Sequence, residues 1–166
     1  MASVSVVITA FNQGELIAEA VASAWAQTST PAQVIVVDDG SNDPSSLDVL
    51  RSLDADVISQ PNSGVSVARN TGFGAATADL VVVLDGDDRL APSFIEGTAS
   101  LLDSNPAMVA ASSLDAPAWG RRCRGKTGRR RRSRLPRAQR VSRDGAGAPD
   151  GLATMRRIRR GHALGV

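Results

Sequence analysis

Residues 81–90 read VVVLDGDDRL. Val81 to Leu84 make an apolar run without alternation, the pattern of a strand covered on both faces. Asp85, Asp87 and Asp88 then follow within four positions. Carboxylates this close repel one another, so a fold that gathers them at one strand end has a use for the charge. A hard divalent cation supplies one. Mg²⁺ or Mn²⁺ takes oxygen ligands and is often held by one or two carboxylates plus the phosphate oxygens of a ligand. The same residues also suit a polar turn, with an Asp capping the next helix and Gly86 supplying the bend.

On either side of this stretch, strand and helix signals alternate. Residues 4–10 are a β-branched apolar run, and 34–37 and 57–58 are further strand candidates. Asn12 with Glu15 three residues on suggests a capping box. Leu16, Ile17, Ala20, Val21, Ala24 and Trp25 recur at helical spacing. Asp43-Pro44 is a cap followed by proline at the first helical position, ahead of Leu47, Leu50 and Leu53. Residues 65–77 suit a third helix, weakened by Gly72 and Gly74. Residues 80–84 are the fourth strand, a helix opens at Pro92 and runs to Leu102, and 108–111 suit a fifth strand. The alternation predicts an α/β fold with a mostly parallel sheet, helices on its faces and right-handed crossovers.

The charge divides the chain. Residues 1–118 hold 3 Arg against 15 Asp and Glu, whereas residues 119–166 hold 16 Lys and Arg against 2 Asp. The last stretch is rich in Arg, Gly and Ala, keeps no period and has too few apolar residues to offset chain entropy. It reads as a disordered basic tail, so the expected division is residues 1–113 and 114–166. The break near residues 113–119 fits a shifted reading frame in GC-rich coding DNA or a truncation. Cys123 is the single cysteine, so no internal disulfide forms. No leader and no membrane-length apolar run is visible. A cytoplasmic protein is expected, with peripheral attachment to the inner membrane face left open. The Arg run at 129–132 suits nucleic-acid phosphates, but the tail offers Trp119 as its one Phe, Trp or Tyr and no reading module, so no specific nucleic-acid partner is expected.

Ligands of open α/β sheets bind beyond the carboxyl ends of the strands. Phe11 and Asn12 follow the first strand, Asp38 and Asp39 end the second, Asn62 to Gly64 follow the third, and the acidic triplet follows the fourth. Asp38 and Asp39 suit either an ordinary turn or a carboxylate reading a nucleobase N–H or a ribose hydroxyl. Phe11 is a lid over the core or a surface that packs on a base. Arg69 is a partner for a diphosphate or for the acidic cluster. The stretch GFGAAT at 72–77 imitates a dinucleotide fingerprint but lacks its third glycine and precedes a strand rather than following one.

Three segments, VSVVITAFNQGELIAEAVASAWAQT, VIVVDDGSND and PNSGVSVARNTGFGAATADLVVVLDGDD, together resemble glycosyltransferase family 2, the inverting enzymes of GT-A fold. The resemblance covers residues 3–113; Thr9 and Phe11 replace the pattern's Pro and Tyr. It implies a Rossmann-like GT-A sheet, incomplete here, and transfer of a sugar from a UDP-, GDP- or dTDP-sugar to a hydroxyl acceptor with Mg²⁺ or Mn²⁺. On it, Asp39 reads the donor base with Asp38 in support, and Phe11, Asn12 and Arg69 belong to the donor site. Asp85 and Asp87 match the Asp-x-Asp motif, Asp87 as the direct metal ligand and Asp85 at the ribose or metal. An inverting transfer also needs a general base beside the acceptor. Beyond residue 118 the acidic residues are Asp144 and Asp150, neither in such a motif, and His162 is isolated. The chain is therefore expected to lack the base and the acceptor half. A non-catalytic nucleotide-sugar-binding fragment is the alternative.

Overall fold

The structure, a computed structural model, describes residues 2–112 and 153–158. Six strands form one sheet in the order β3-β2-β1-β4-β6-β5. They are β1 (Val4–Ala10), β2 (Gln33–Asp38), β3 (Asp56–Ser59), β4 (Leu80–Asp85), β5 (Ala110–Ser112) and β6 (Thr154–Arg157). The helices are α1 (Leu16–Trp25), α2 (Pro44–Ser52), α3 (Val65–Ala75) and α4 (Phe94–Ser104). β1 pairs in parallel with both β2 and β4, and β2 with β3, while β6 runs antiparallel to β4 and to β5. The expected mostly parallel α/β architecture is observed.

Strand alternation sends side chains to two faces. Val6, Ile8, Val34, Val36, Val82 and Leu84 pack with residues of α1 and α4 and with Leu50 of α2. Val7, Ile35, Val37 and Val81 pack instead against Ala68 of α3, with Phe73 alongside. The three-layer arrangement explains why the central strands are apolar on both faces, with Ser5 and Thr9 of β1 as buried polar exceptions. Gly72 sits where α3 meets β1 most closely: a Cβ there would lie 2.1 Å from Val7 Cγ1. The glycine that weakens α3 as an isolated helix is what lets it approach the sheet.

Some local expectations change. Asn12 does not cap α1. It takes a left-handed φ of 50°, which Asn tolerates better than most residues. Its side chain turns to the loop after β2, and Glu15 occupies the N-cap position without a side-chain bond. Asp43 does cap α2, accepting from Ser46 N at 2.8 Å. α4 starts at Phe94 rather than Pro92, because the Pro92 carbonyl is taken by Thr28 N at 2.8 Å.

The largest departure lies in the basic segment, expected to be without structure. Residues 154–157 instead form β6, placing Met155 opposite Val82 on one side and Ala111 on the other. Met155 is fully buried in the main core. Arg157 donates to the Leu102 carbonyl at 3.0 Å. Apart from residues 153–158, the stretch 114–166, including Asp144, Asp150 and His162, lies outside the described residues. Among the described residues, no helix is long and apolar enough to cross a membrane.

Candidate functional site

The chain runs from β1 outward to β2 and β3, then returns to place β4 on the other side of β1. That reversal opens a crevice at the carboxyl ends of β1, β2 and β4. A pocket of about 350 Å³ lies there, lined by Thr9 and Ala10 at the end of β1, Phe11 and Gln13 after it, Asp39 after β2, Asn62, Gly64, Val65 and Ala68 around the start of α3, and Asp85.

Asp39 is built into one end of the pocket. It is only 5% exposed, and its carboxylate gathers the loop before α3. Oδ1 accepts from Gln60 Nε2 at 2.7 Å and Ser63 N at 3.0 Å, and Oδ2 accepts from Gly64 N at 2.8 Å. Burial alone would raise the carboxyl, but these three hydrogen bonds outweigh it and hold Asp39 below its ordinary value. A negative charge at the N-terminus of α3 is also favoured by the helix dipole. One lone pair of Oδ2 remains for a ligand N–H or O–H. Asp38 is buried and spent on its own turn, accepting from Ser41 N at 2.9 Å.

Phe11, 44% exposed, and Val65, 47% exposed, are apolar surfaces on the pocket lining. Asn12 is not on that lining. Its Oδ1 accepts from Asn42 N and Asp43 N, and its Nδ2 donates to Asn42 Oδ1 at 3.0 Å. It fastens the end of β1 to the loop after β2, and so shapes the crevice from outside.

The acidic end is asymmetric. Asp85 Oδ1 accepts from Arg69 NH2 at 2.7 Å and from Thr9 Oγ1 at 3.2 Å. Among the described residues, Asp85 Oδ2 and both Asp87 oxygens accept no hydrogen bond. Asp87 is exposed, while burial, then Asp87, then Asp85 push the Asp88 carboxyl above its ordinary value. Arg69 Nε is buried without a partner, a donor that an anionic ligand would satisfy. No set of three or more His, Cys, Asp or Glu able to hold a metal ion occurs among the described residues. The residues therefore do not cage a cation. They fit one held by one or two carboxylates and completed by a ligand's oxygens and water. Asp85 and Asp87 would hold it, and it would neutralise charge on a bound diphosphate.

The sequence motifs thus meet at one crevice: Phe11, Asp39 and Asp85 line the pocket, Arg69 grips Asp85, and Asp87 follows one turn residue on. Sequence reasoning missed Thr9, Gln13 and Gln60. Gln60 directly follows β3 and could have been read from that place. Thr9 stood out only as a departure from the family pattern, and nothing in the sequence marked Gln13.

Comparison with known proteins gives the family and the fold. The family model described as glycosyl transferase family 2 matches residues 5–164. An uncharacterized glycosyltransferase of Nostoc is 32% identical over 118 residues, covering 68% of this chain and 36% of that protein. Succinoglycan biosynthesis protein ExoO of Rhizobium meliloti is 35% identical over 115 residues, 68% of this chain and 33% of its own length. A mannosyltransferase from Pyrobaculum calidifontis, solved in complex with GDP-Man and Mn²⁺, superposes with a TM-score of 0.59 at 26% identity, over 70% of this chain and 36% of that one. The chain spans about a third of the length of these curated relatives.

Proposed function

The chain belongs to glycosyl transferase family 2, and from that premise we propose that its described part is the donor-binding half of a metal-dependent sugar transferase. The donor is a nucleoside-diphosphate sugar (UDP-, GDP- or dTDP-linked) and the acceptor a hydroxyl. The observation that carries the reading is the crevice, with a hydrogen-bonded carboxylate at one end and open carboxylates beside an arginine at the other. The base packs on Phe11 and donates to Asp39. The diphosphate lies toward Arg69 and the Asp85–Asp87 turn, where Mg²⁺ or Mn²⁺ offsets charge on the leaving nucleoside diphosphate. The relative solved with GDP-Man and Mn²⁺ supports both ligand classes. None of the donor-site carboxylates is assigned as the general base that transfer needs, and on this reading the described part binds donor without transferring efficiently. The site is proposed to work in the cytoplasm, with peripheral membrane attachment compatible with the chain. The test is titration of a fluorescent nucleoside diphosphate with Mn²⁺. Saturable binding that weakens in Asp39→Ala is expected; no binding, or efficient sugar transfer by this chain, would overturn the reading.

We also propose that residues 1–113 carry the body of the family domain, with β6 completing its sheet, and that the reading frame shifts near residues 113–119. The break in composition supports this. β6, with Met155 in the core, supports a return to the family's frame before Thr154. Translating the coding DNA in its other frames should yield an acidic, family-like continuation between these points; its absence would reject the proposal.

A further inference from the structure

Thr9, the penultimate residue of β1, lies directly opposite Asp85 in the β1–β4 register. Two hydrogen bonds tie it to the acidic turn, and the turn packs closely on it. Its hydroxyl donates to Asp85 Oδ1 at 3.2 Å. Its carbonyl accepts from Gly86 N at 2.9 Å. A Cβ on Gly86 would lie 2.9 Å from that carbonyl and 2.4 Å from Gln13 Oε1, so the turn is pressed onto the end of β1. Thr9 is 7% exposed, and a β-branched side chain has few χ1 options.

We infer that Thr9 is a positioning residue that keeps one oxygen of Asp85 available to the metal–diphosphate end of the donor, an inference that rests on the donor-site reading above. Arg69 alone would not do this. A guanidinium prefers to grip a carboxylate through two parallel N–H bonds, and Arg69 Nε lies buried without a partner. Arg69 and Thr9 together converge on Oδ1. The hydroxyl thus resists the rotation that would hand both carboxylate oxygens to the guanidinium. Oδ2 stays unengaged among the described residues. The family pattern's proline at this position has no hydroxyl to offer.

Thr9→Val preserves shape and removes the hydroxyl; Thr9→Ser preserves the hydroxyl. UDP and GDP would be titrated calorimetrically into the full chain with Mn²⁺, alongside melts of the ligand-free proteins. Thr9→Val is expected to weaken Mn²⁺-dependent binding about fivefold, the effect of one net hydrogen bond, with Thr9→Ser close to the parent chain. A purely structural role would lower the ligand-free melting point of Thr9→Val and leave affinity unchanged, which would overturn the inference. Equal weakening by Thr9→Ser would overturn it too, since the hydroxyl would not be the cause. If the parent chain binds neither nucleotide, the donor-site reading fails and takes this inference with it. If the parent binds and Thr9→Val binds equally well, the inference alone fails.

Discussion

Met155→Ala tests whether β6 belongs to the sheet. Met155 is fully buried between β4 and β5, opposite Val82 and Ala111. The substitution removes three buried heavy atoms, worth about 2 kcal/mol in transfer at ~0.8 kcal/mol each. Any cavity that stays open beside Val82 adds to this, giving about 2–4 kcal/mol in all. For a domain of this size that is a fall of roughly 10 °C in the melting midpoint. Met155→Leu conserves volume and should cost under about 1.5 kcal/mol. Val109→Ala, at a side chain 53% exposed, should change the midpoint little. Circular dichroism melts of the four chains decide the matter. If Met155→Ala melts with the parent, β6 does not fill the core and the placement of the basic segment is wrong.

Three other outcomes follow from the geometry. Gly72→Ala brings a Cβ within 2.1 Å of Val7 Cγ1; overpacking of about 1–3 kcal/mol should exceed the ~1 kcal/mol of helix propensity gained, and adding Val7→Ala should recover part of the loss in a double-mutant cycle of denaturant melts. Asp39→Asn should lower the midpoint at neutral pH, and the gap should close in acid melts: the folded carboxyl is held below its ordinary 3.8, so its stabilisation is complete above that value and lost as pH falls through the folded one. Asp88→Asn should do the reverse and raise the ligand-free midpoint at pH 7, because the folded carboxyl is pushed up; its favourable protonation is complete below the unfolded value and lost as pH rises through the folded one, so the advantage should vanish in acid.

The strands of this fold were legible because the core strands are mostly apolar and β-branched on both faces, and that pattern survives without tertiary information. The site was legible because its residues directly follow those strands. β6 was not. Thr-Met-Arg-Arg carries no strand signal of its own, and its conformation comes from pairing with β4 and β5. Asn12 was misread as a helix cap because its side chain bonds equally well to a neighbouring loop, and only the tertiary position of residues 42 and 43 decides between them. Thr9 and Gln13 escaped notice for a related reason. Each acts on a strand end 70 or more residues away in the chain, through contacts that only the β1–β4 pairing creates.

The central claim is that the crevice holds a nucleoside diphosphate through a cation on the Asp85–Asp87 turn. The most direct test is a thermal melt of the chain with Mn²⁺, with UDP or GDP, and with both together. A ligand that binds only the folded state raises the midpoint. A clear rise that needs metal and nucleotide together, and that is lost in Asp87→Ala, is expected. A cooperative melt that neither nucleotide shifts in the presence of Mn²⁺, or a shift that survives Asp87→Ala unchanged, would contradict it.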